Sequence, residues 1–370
     1  MLCTVLLCIN GWSQSRTVKL SIVETTDVHG NYLPYNFIND VPGKGSMARI
    51  YSYVKQLRQS QGYQNVVLLD NGDILQGQPS AYYYNYMDTE SRHLCADVMN
   101  FMGYDAATIG NHDVETGHKV YDRWTAQCAF PMLGANVTAT ATGKPYFKPY
   151  TIIEKNGVRV AVLGLITPGI PMWLPETLWS GLRFDDLVST AKRYMPEMKK
   201  QADVIVCLMH SGVGDANKYE TRAENGAIAL ARQVPGFDVV FCGHDHRRAC
   251  RREKTNVGDS VWVLNPAANA HAVAQADLTL CFDGKTLISK KVSGSLVNID
   301  QLTPDEAFTH QFAAQTDSVK QFTQQVIGYC EDTITTTPAF FGPSAFVDFI
   351  HQMQLSITGA DVSLDRKSVV

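Results

Sequence analysis

Val239-Val240-Phe241-Cys242-Gly243-His244-Asp245-His246 sets an apolar run of strand length directly against a polar turn carrying two imidazoles. Side chains two apart at a strand end point to the same side, so His244 and His246 can face one centre. The same construction recurs upstream. Asp27-Val28-His29-Gly30 follows an apolar run over 18–25, Gly72-Asp73 a run over 65–69, and Gly110-Asn111-His112-Asp113 a short run over 106–109. His210-Ser211-Gly212 closes a run over 203–209, and Glu115 and Asn265 are weaker additions to the set. Helix-like stretches over 46–59 and 93–102 separate these runs, and 158–166, 261–264 and 272–281 read as further strands. The alternation argues for an α/β layered fold. Runs as continuously apolar as 158–166 and 203–209 suit strands covered on both faces. Open α/β sheets place ligands at the C-terminal strand ends, where these polar blocks all fall. The donors are carboxylate, amide and imidazole with no obligatory thiolate, which suits two divalent metal ions of the Mn, Zn, Fe or Co type.

Length and charge narrow the classes. With 370 residues, 45% of them hydrophobic, the chain can bury a sizeable core without a disulfide scaffold. A net charge of -4 gives no reason to expect a polyanion such as duplex nucleic acid as partner. The one basic run, Arg247-Arg248 with Arg251, Arg252 and Lys254, reads as a solvated loop or as an attractor for an anionic substrate. Met1 to Ile9 is short and apolar and turns polar at Gly11-Trp12-Ser13-Gln14-Ser15, so residues 1–15 read as a signal-peptide-like segment without a basic start. That implies an exported protein, periplasmic or extracellular, with no membrane anchor. Of nine cysteines, Cys3 and Cys8 fall in that segment, and Cys207 and Cys242 read as plain buried residues. From about residue 298 the character changes. Thr303-Pro304-Asp305-Glu306 reads as a helix start with Thr303 as N-cap, and the polar helix running to about 327 is of the kind that bridges domains. Phe340-Phe341-Gly342-Pro343-Ser344 opens a new segment, too short before Val370 for a core of its own.

The pieces TTDVHG, NGDILQG, TIGNHDVE, MHSG and CGHDHR together resemble the calcineurin-like metallophosphoesterases, within them the exported 5′-nucleotidase and 2′,3′-cyclic-nucleotide phosphodiesterase branch. The resemblance covers roughly residues 18–300, and FFGPSAFVDFI resembles the opening of that family's C-terminal substrate domain. It implies a β-sandwich flanked by helices, with a catalytic domain over 16–300, a linker helix over 301–330 and the start of a truncated nucleotide-binding domain over 331–370. It implies that Asp27, His29 and His246 bind one metal, that Asn111, His210 and His244 bind the other, and that Asp73 bridges them. Many relatives carry Gln or Asn where this chain has His246, and histidine there belongs to the cyclic-phosphodiesterase type.

Two such cations about 3.5–4 Å apart can clamp a phosphate ester and supply a nucleophile at neutral pH. The resemblance places His112 over the phosphate, where it stabilises charge and protonates the leaving oxygen. An acid must orient it. Asp113 is adjacent in sequence, and Glu115 better matches the family's orienting position. The expected activity is that of a nucleotide phosphohydrolase, first a 5′-nucleotidase. The alternatives are a 2′,3′-cyclic-nucleotide 2′-phosphodiesterase/3′-nucleotidase, a UDP-sugar hydrolase, or a non-catalytic metal-binding surface protein on the same scaffold. The base-stacking part of the family's C-terminal domain finds no match here, so nucleotide selectivity is expected to be poor.

Overall fold

The computed structural model describes residues 15–218 and 224–364. The first fourteen residues of the signal-peptide-like segment, with Cys3 and Cys8, lie outside the described residues, as does the stretch 365–370. Ser15 already opens the first strand.

Two six-stranded sheets form the centre of the larger unit. The first runs, neighbour to neighbour, Thr286–Asn298, Ala272–Asp283, Ser15–Thr25, Val66–Asp70, Ala106–Thr108, Met132–Leu133. The second runs Arg248–Lys254, Ser260–Pro266, Val239–Cys242, Val204–His210, Val158–Ile166, Tyr150–Lys155. In the second sheet the three central pairs are parallel and the two outer hairpins antiparallel. In the first, Ala272–Asp283 pairs antiparallel with both Ser15–Thr25 and Thr286–Asn298, and the pairs from Ser15–Thr25 to Met132–Leu133 are parallel. Parallel strands need helical crossovers, and those helices cover the outer faces.

Alternation along the strands sorts three cores. Leu20, Ile22, Val67 and Leu69 of the first sheet meet Val160, Val162, Val206, Leu208 and Phe241 of the second, which makes the sandwich. Val23, Val66 and Leu68 face the opposite way, onto Ile50, Val54, Val98 and Met99 of the helices Met47–Gln61 and Leu94–Met102. Leu163, Cys207 and Met209 pack on Leu187, Ala191 and Leu230 of the helices Leu187–Gln201 and Ala227–Gln233. Each such apolar side chain contributes about 1.5–3 kcal/mol on full burial. Ser46 caps the first of these helices by accepting the Arg49 N–H, and Gly103 ends the second in the left-handed conformation, φ 70°.

Three readings of the sequence change. The basic run is not a loop: Arg248–Lys254 is an edge strand, with Arg251 paired to Glu253 and Arg252 lying over the Trp262 ring. Charged residues on an edge discourage pairing with another chain. The long strand Thr286–Asn298 carried no clear sequence signal. Its side chains are mostly half-buried or exposed, and Lys290, Lys291 and Gly294 interrupt any apolar alternation. Third, the expected helix to about 327 is two helices, Glu306–Gln311 and Ala313–Thr323. Asp305, not Thr303, is the N-cap, accepting the Phe308 N–H at 3.0 Å. Thr303 instead offers its carbonyl to Ser52 Oγ, and Lys55 pairs with Asp305 at 2.7 Å. Phe308 and Phe312 are buried with Phe101, so this pair belongs to the core of the larger unit.

Chain contacts divide the protein after Thr323. The smaller unit, from Gln324, contains the helix Ala345–Thr358, capped by Ser344 Oγ on the Phe346 N–H and closed by Gly359 at φ 68°. Cys207 and Cys242 are fully buried. Among the described residues no helix is long and apolar enough to cross a bilayer.

Candidate metal centre

The parallel strands of both sheets end on one rim, stitched there by Asn71 Nδ2 donating to Met209 O at 3.1 Å and the Thr167 N–H donating to His210 O at 2.8 Å. Asp73 stands three residues beyond its strand, fully enclosed, with a left-handed backbone at φ 55°. Its Oδ1 accepts the His112 N–H at 2.7 Å, and a Cβ on Gly110 would lie 2.2 Å from that oxygen. Glycine is required there for the two loops to meet. Asp73 Oδ2 is buried, has no hydrogen-bond partner and lies 3.1 Å from His210 Nε2. His210 donates Nδ1–H to Asn71 O at 2.7 Å, which turns Nε2 toward Asp73 and leaves that nitrogen as the one able to meet a cation once its proton is displaced. Asn111 Oδ1 lies 2.7 Å from His244 Nδ1 and 3.1 Å from His210 Nε2. The other nitrogen of His244 donates to Glu224 Oε1 at 2.8 Å.

Beside this pocket is a second. Asp27 is fully buried and accepts Thr26 Oγ1–H at 2.6 Å and the His244 N–H at 3.0 Å. Its Oδ1 lies 3.3 Å from His246 Nε2 and 3.9 Å from His29 Nε2, and those two nitrogens are 2.9 Å apart. His29 donates Nδ1–H to Gln76 O at 3.1 Å. Among the described residues His246 Nδ1 has no such anchor, and its side chain is 47% exposed.

Backbone strain marks the same residues. Asp27, His29, Asp73, His244 and His246 all have positive φ, between 49° and 73°. Each costs free energy that the surrounding structure must offset, and such residues gather at functional sites. Charge points the same way. Burial pushes the Asp73 carboxyl up, but the imidazoles of His210, His112 and His29 outweigh it and hold it well below the carboxylate range. Burial pulls His210 down, and Asp73 more than reverses that, so the imidazole is pushed up to about 10. The pocket selects for positive charge.

His112 and Glu115 share the short helix Asn111–Glu115, and Glu115 Oε2 accepts from His112 Nδ1 at 2.5 Å. The His112 ring sits 5.5 Å from the His29 ring. Asp113, the other acid considered for His112, is turned elsewhere. Its carboxylate accepts four backbone N–H groups, from Gly110 at 2.7 Å and from Asp73, Ile74 and Leu75 at 2.9 Å each. It fastens the Asp73 loop to the Asn111 turn. Asn265 also faces away from the donors, giving Nδ2–H to Asp245 Oδ1 at 2.9 Å. Asp245 accepts the Val213 N–H at 2.9 Å, which holds the turn between His244 and His246.

Asp27, His29 and His246 form one group, and Asp73, His210 and His244 another, whose donor atoms lie within 4.8 Å of one another. Metal–ligand bonds of about 2.0–2.2 Å set neighbouring donors roughly 3 Å apart, the spacing seen here. Three of the four imidazoles are oriented by an acceptor on the far nitrogen, as metal-binding histidines generally are. Asp73 Oδ2, which faces the His210 imidazole without a hydrogen bond, would gain a ligand bond. The residues therefore fit two divalent cations. Sequence reasoning did not find Asn71, Gln76 or Glu224. The first two act through backbone carbonyls, which any residue possesses. Glu224 has no spacing that ties it to His244.

A family model for calcineurin-like phosphoesterases matches residues 20–248. The 2′,3′-cyclic-nucleotide 2′-phosphodiesterase/3′-nucleotidase of Haemophilus influenzae is 37% identical over 244 residues, 62% of this chain and 36% of that protein. The 5′-nucleotidase of Vibrio cholerae is 33% identical over 247 residues, 65% of this chain and 42% of that protein. The chain thus spans well under half the length of these curated relatives. The crystal structure of calcineurin-like phosphoesterase YfkN from Bacillus subtilis superposes with a TM-score of 0.73 at 28% identity, covering 84% of this chain and 100% of that one. The model match alone takes in more than half the chain, including the blocks at Asp27, Asp73, Asn111, His210 and His244–His246, and the chain belongs to the calcineurin-like phosphoesterase family.

Proposed function

We propose that this chain is the catalytic unit of a dinuclear metal-dependent phosphohydrolase acting on nucleotides. The observation that carries the reading is the pair of adjoining donor pockets with the His112–Glu115 pair beside them. Asp27, His29 and His246 would hold one cation and Asn111, His210 and His244 the other, with Asp73 between them. Bound there, two divalent ions of the Mn, Zn, Fe or Co type would neutralise phosphate charge and lower the pKa of water to near neutrality. His112 places a proton donor at the mouth of the pockets for the leaving oxygen. Glu115 fixes that ring through Nδ1, which turns Nε2 outward. The helix N-terminus at Asn111 supplies the His112 amide to Asp73, so the bridging carboxylate is held independently of the cations.

The ester position has two readings. The sequence puts nucleoside 5′-monophosphates first. Favouring the other, the Haemophilus relative is the more similar of the two compared, and His246 is the residue expected of the cyclic-phosphodiesterase type. That second reading is opening of a 2′,3′-cyclic nucleotide followed by removal of the 3′-phosphate. Export to the periplasm or the extracellular space fits the apolar start, and a fusion of residues 1–15 to a reporter would test it. For the activity, AMP, 3′-AMP, 2′,3′-cyclic AMP and UDP-glucose are assayed with manganese or zinc and again with EDTA. Phosphate release that needs metal and stops with EDTA is expected. No metal-dependent turnover of any of them would refute the reading and leave a metal-binding protein without catalysis.

A further inference from the structure

The His112–Glu115 pair forms one wall of a cavity of 540 Å³ whose other walls include Tyr82, Tyr86, Trp173 and Leu178. That volume lies in the range of small-molecule sites. Three aromatic side chains in it stay open to solvent: Tyr82 is 51% exposed, Tyr86 47% and Trp173 41%. Each is held in place by a neighbour. One side of Trp173 stacks on the His244 ring, with centroids 5.5 Å apart and planes at 21°. Tyr82 and Tyr86 meet edge to face at 5.3 Å, where the helix Pro79–Tyr82 widens into the π-helical turn Tyr83–Met87. Such π-helical turns occur frequently at functional sites. Among the described residues no Lys or Arg lines the cavity, and Glu115 is its one carboxylate.

We propose that this cavity receives the leaving group of the substrate and that its occupant is neutral and carries a flat ring. A nucleoside or an aryl alcohol has that chemistry; a group bearing a second phosphate does not. The site rests on the proposed reaction in one respect: His112 can protonate only a leaving oxygen on its own side, and the cavity is what lies on that side. The aromatic faces supply stacking, which tolerates any base. The carboxylate of Glu115 disfavours further phosphates, and among the described residues no cationic side chain in the lining offsets it. Selectivity among bases is weak on this account.

The test is binding of adenosine to the manganese-loaded chain, followed by calorimetry and read without turnover. Adenosine is expected to bind, and ribose at the same concentration is not. Trp173→Ala and Tyr86→Ala are each expected to weaken adenosine at least about fivefold, the lower end of one lost base–ring stack. Trp173→Phe is expected to keep most of the affinity. Metal content and circular dichroism check each variant, and Tyr86→Ala stands alone if Trp173→Ala disturbs His244. Failure of wild-type protein to bind adenosine, equal affinity for ribose, or affinity unmoved by Tyr86→Ala would overturn the proposal. A chain that binds adenosine but hydrolyses no ester would instead sink the proposed reaction. A chain that hydrolyses esters but ignores adenosine sinks the cavity assignment alone.

Discussion

The Asp73 pocket and the Asp27 pocket each join one aspartate to two histidines, with the Asn111 amide added in the first, and adjoin each other, yet their surroundings differ. In the first, His210 and Asp73 are fully buried, and both imidazoles are oriented from behind, by Asn71 O and by Glu224. In the second, among the described residues only His29 is so oriented, by Gln76 O, and His246 is half exposed. A buried donor whose ring is already fixed loses little freedom on binding, and a dry site strengthens each charge interaction. The Asp73 pocket should therefore hold its cation more tightly, and the Asp27 pocket should exchange its own. Closely similar donor sets give unequal pockets because orientation and solvent access are unequal.

The largest effect is expected from Asp73→Asn, which keeps the shape and removes the charge that the proposal sets between two cations. Metal-dependent turnover should fall about 10³-fold or more, and neither cation should survive desalting. Retention of both would break the account of the shared carboxylate. Next is His112→Ala, for which turnover should drop about 10²–10⁴-fold while metal per chain stays the same. Loss of metal in that variant would mean that the ring supports the His29 pocket instead of acting on substrate.

Stability of the metal-free chain sharpens the contrast. His210→Ala leaves the Asp73 carboxylate buried and unpaired, which should cost about 3–5 kcal/mol in denaturant unfolding. His246→Ala touches a half-exposed ring and should cost no more than about 1 kcal/mol. Equal losses would say that the pockets are equally built into the fold. Among the effects on metal and turnover the smallest is expected of Glu224→Gln, which keeps the side-chain shape but removes the anion behind His244. Metal affinity of the Asp73 pocket should weaken about 10–100-fold, read by competition with a coloured chelator, and the other pocket should be unchanged.

Much of this centre was legible in the chain itself. The blocks at 27–30, 72–73, 110–113 and 244–246 stand out because a buried apolar strand must end before a strained polar turn, and the glycines beside the ligands mark where backbones approach. The α/β layering followed from apolar runs such as Val158–Ile166, buried almost throughout, whereas the sandwich was implied only by the family resemblance. What was hidden depends on tertiary partners. Thr286–Asn298 is half-wet and lacks clean alternation, so only its pairing with Ala272–Asp283 makes it a strand. Between two candidate caps two residues apart, Asp305 prevails because Lys55 and the Ser52 hydroxyl come from a distant helix. Asp113 looked like an acid for His112, and only the fold shows four amides already converging on it.

The inequality of the two pockets is tested most directly by counting metal per chain while manganese-loaded protein is dialysed against rising chelator. Two equivalents should be present at the start, one should leave at low chelator, and the second should persist until much higher concentration. A single equivalent, none, or the loss of both in one step would contradict it.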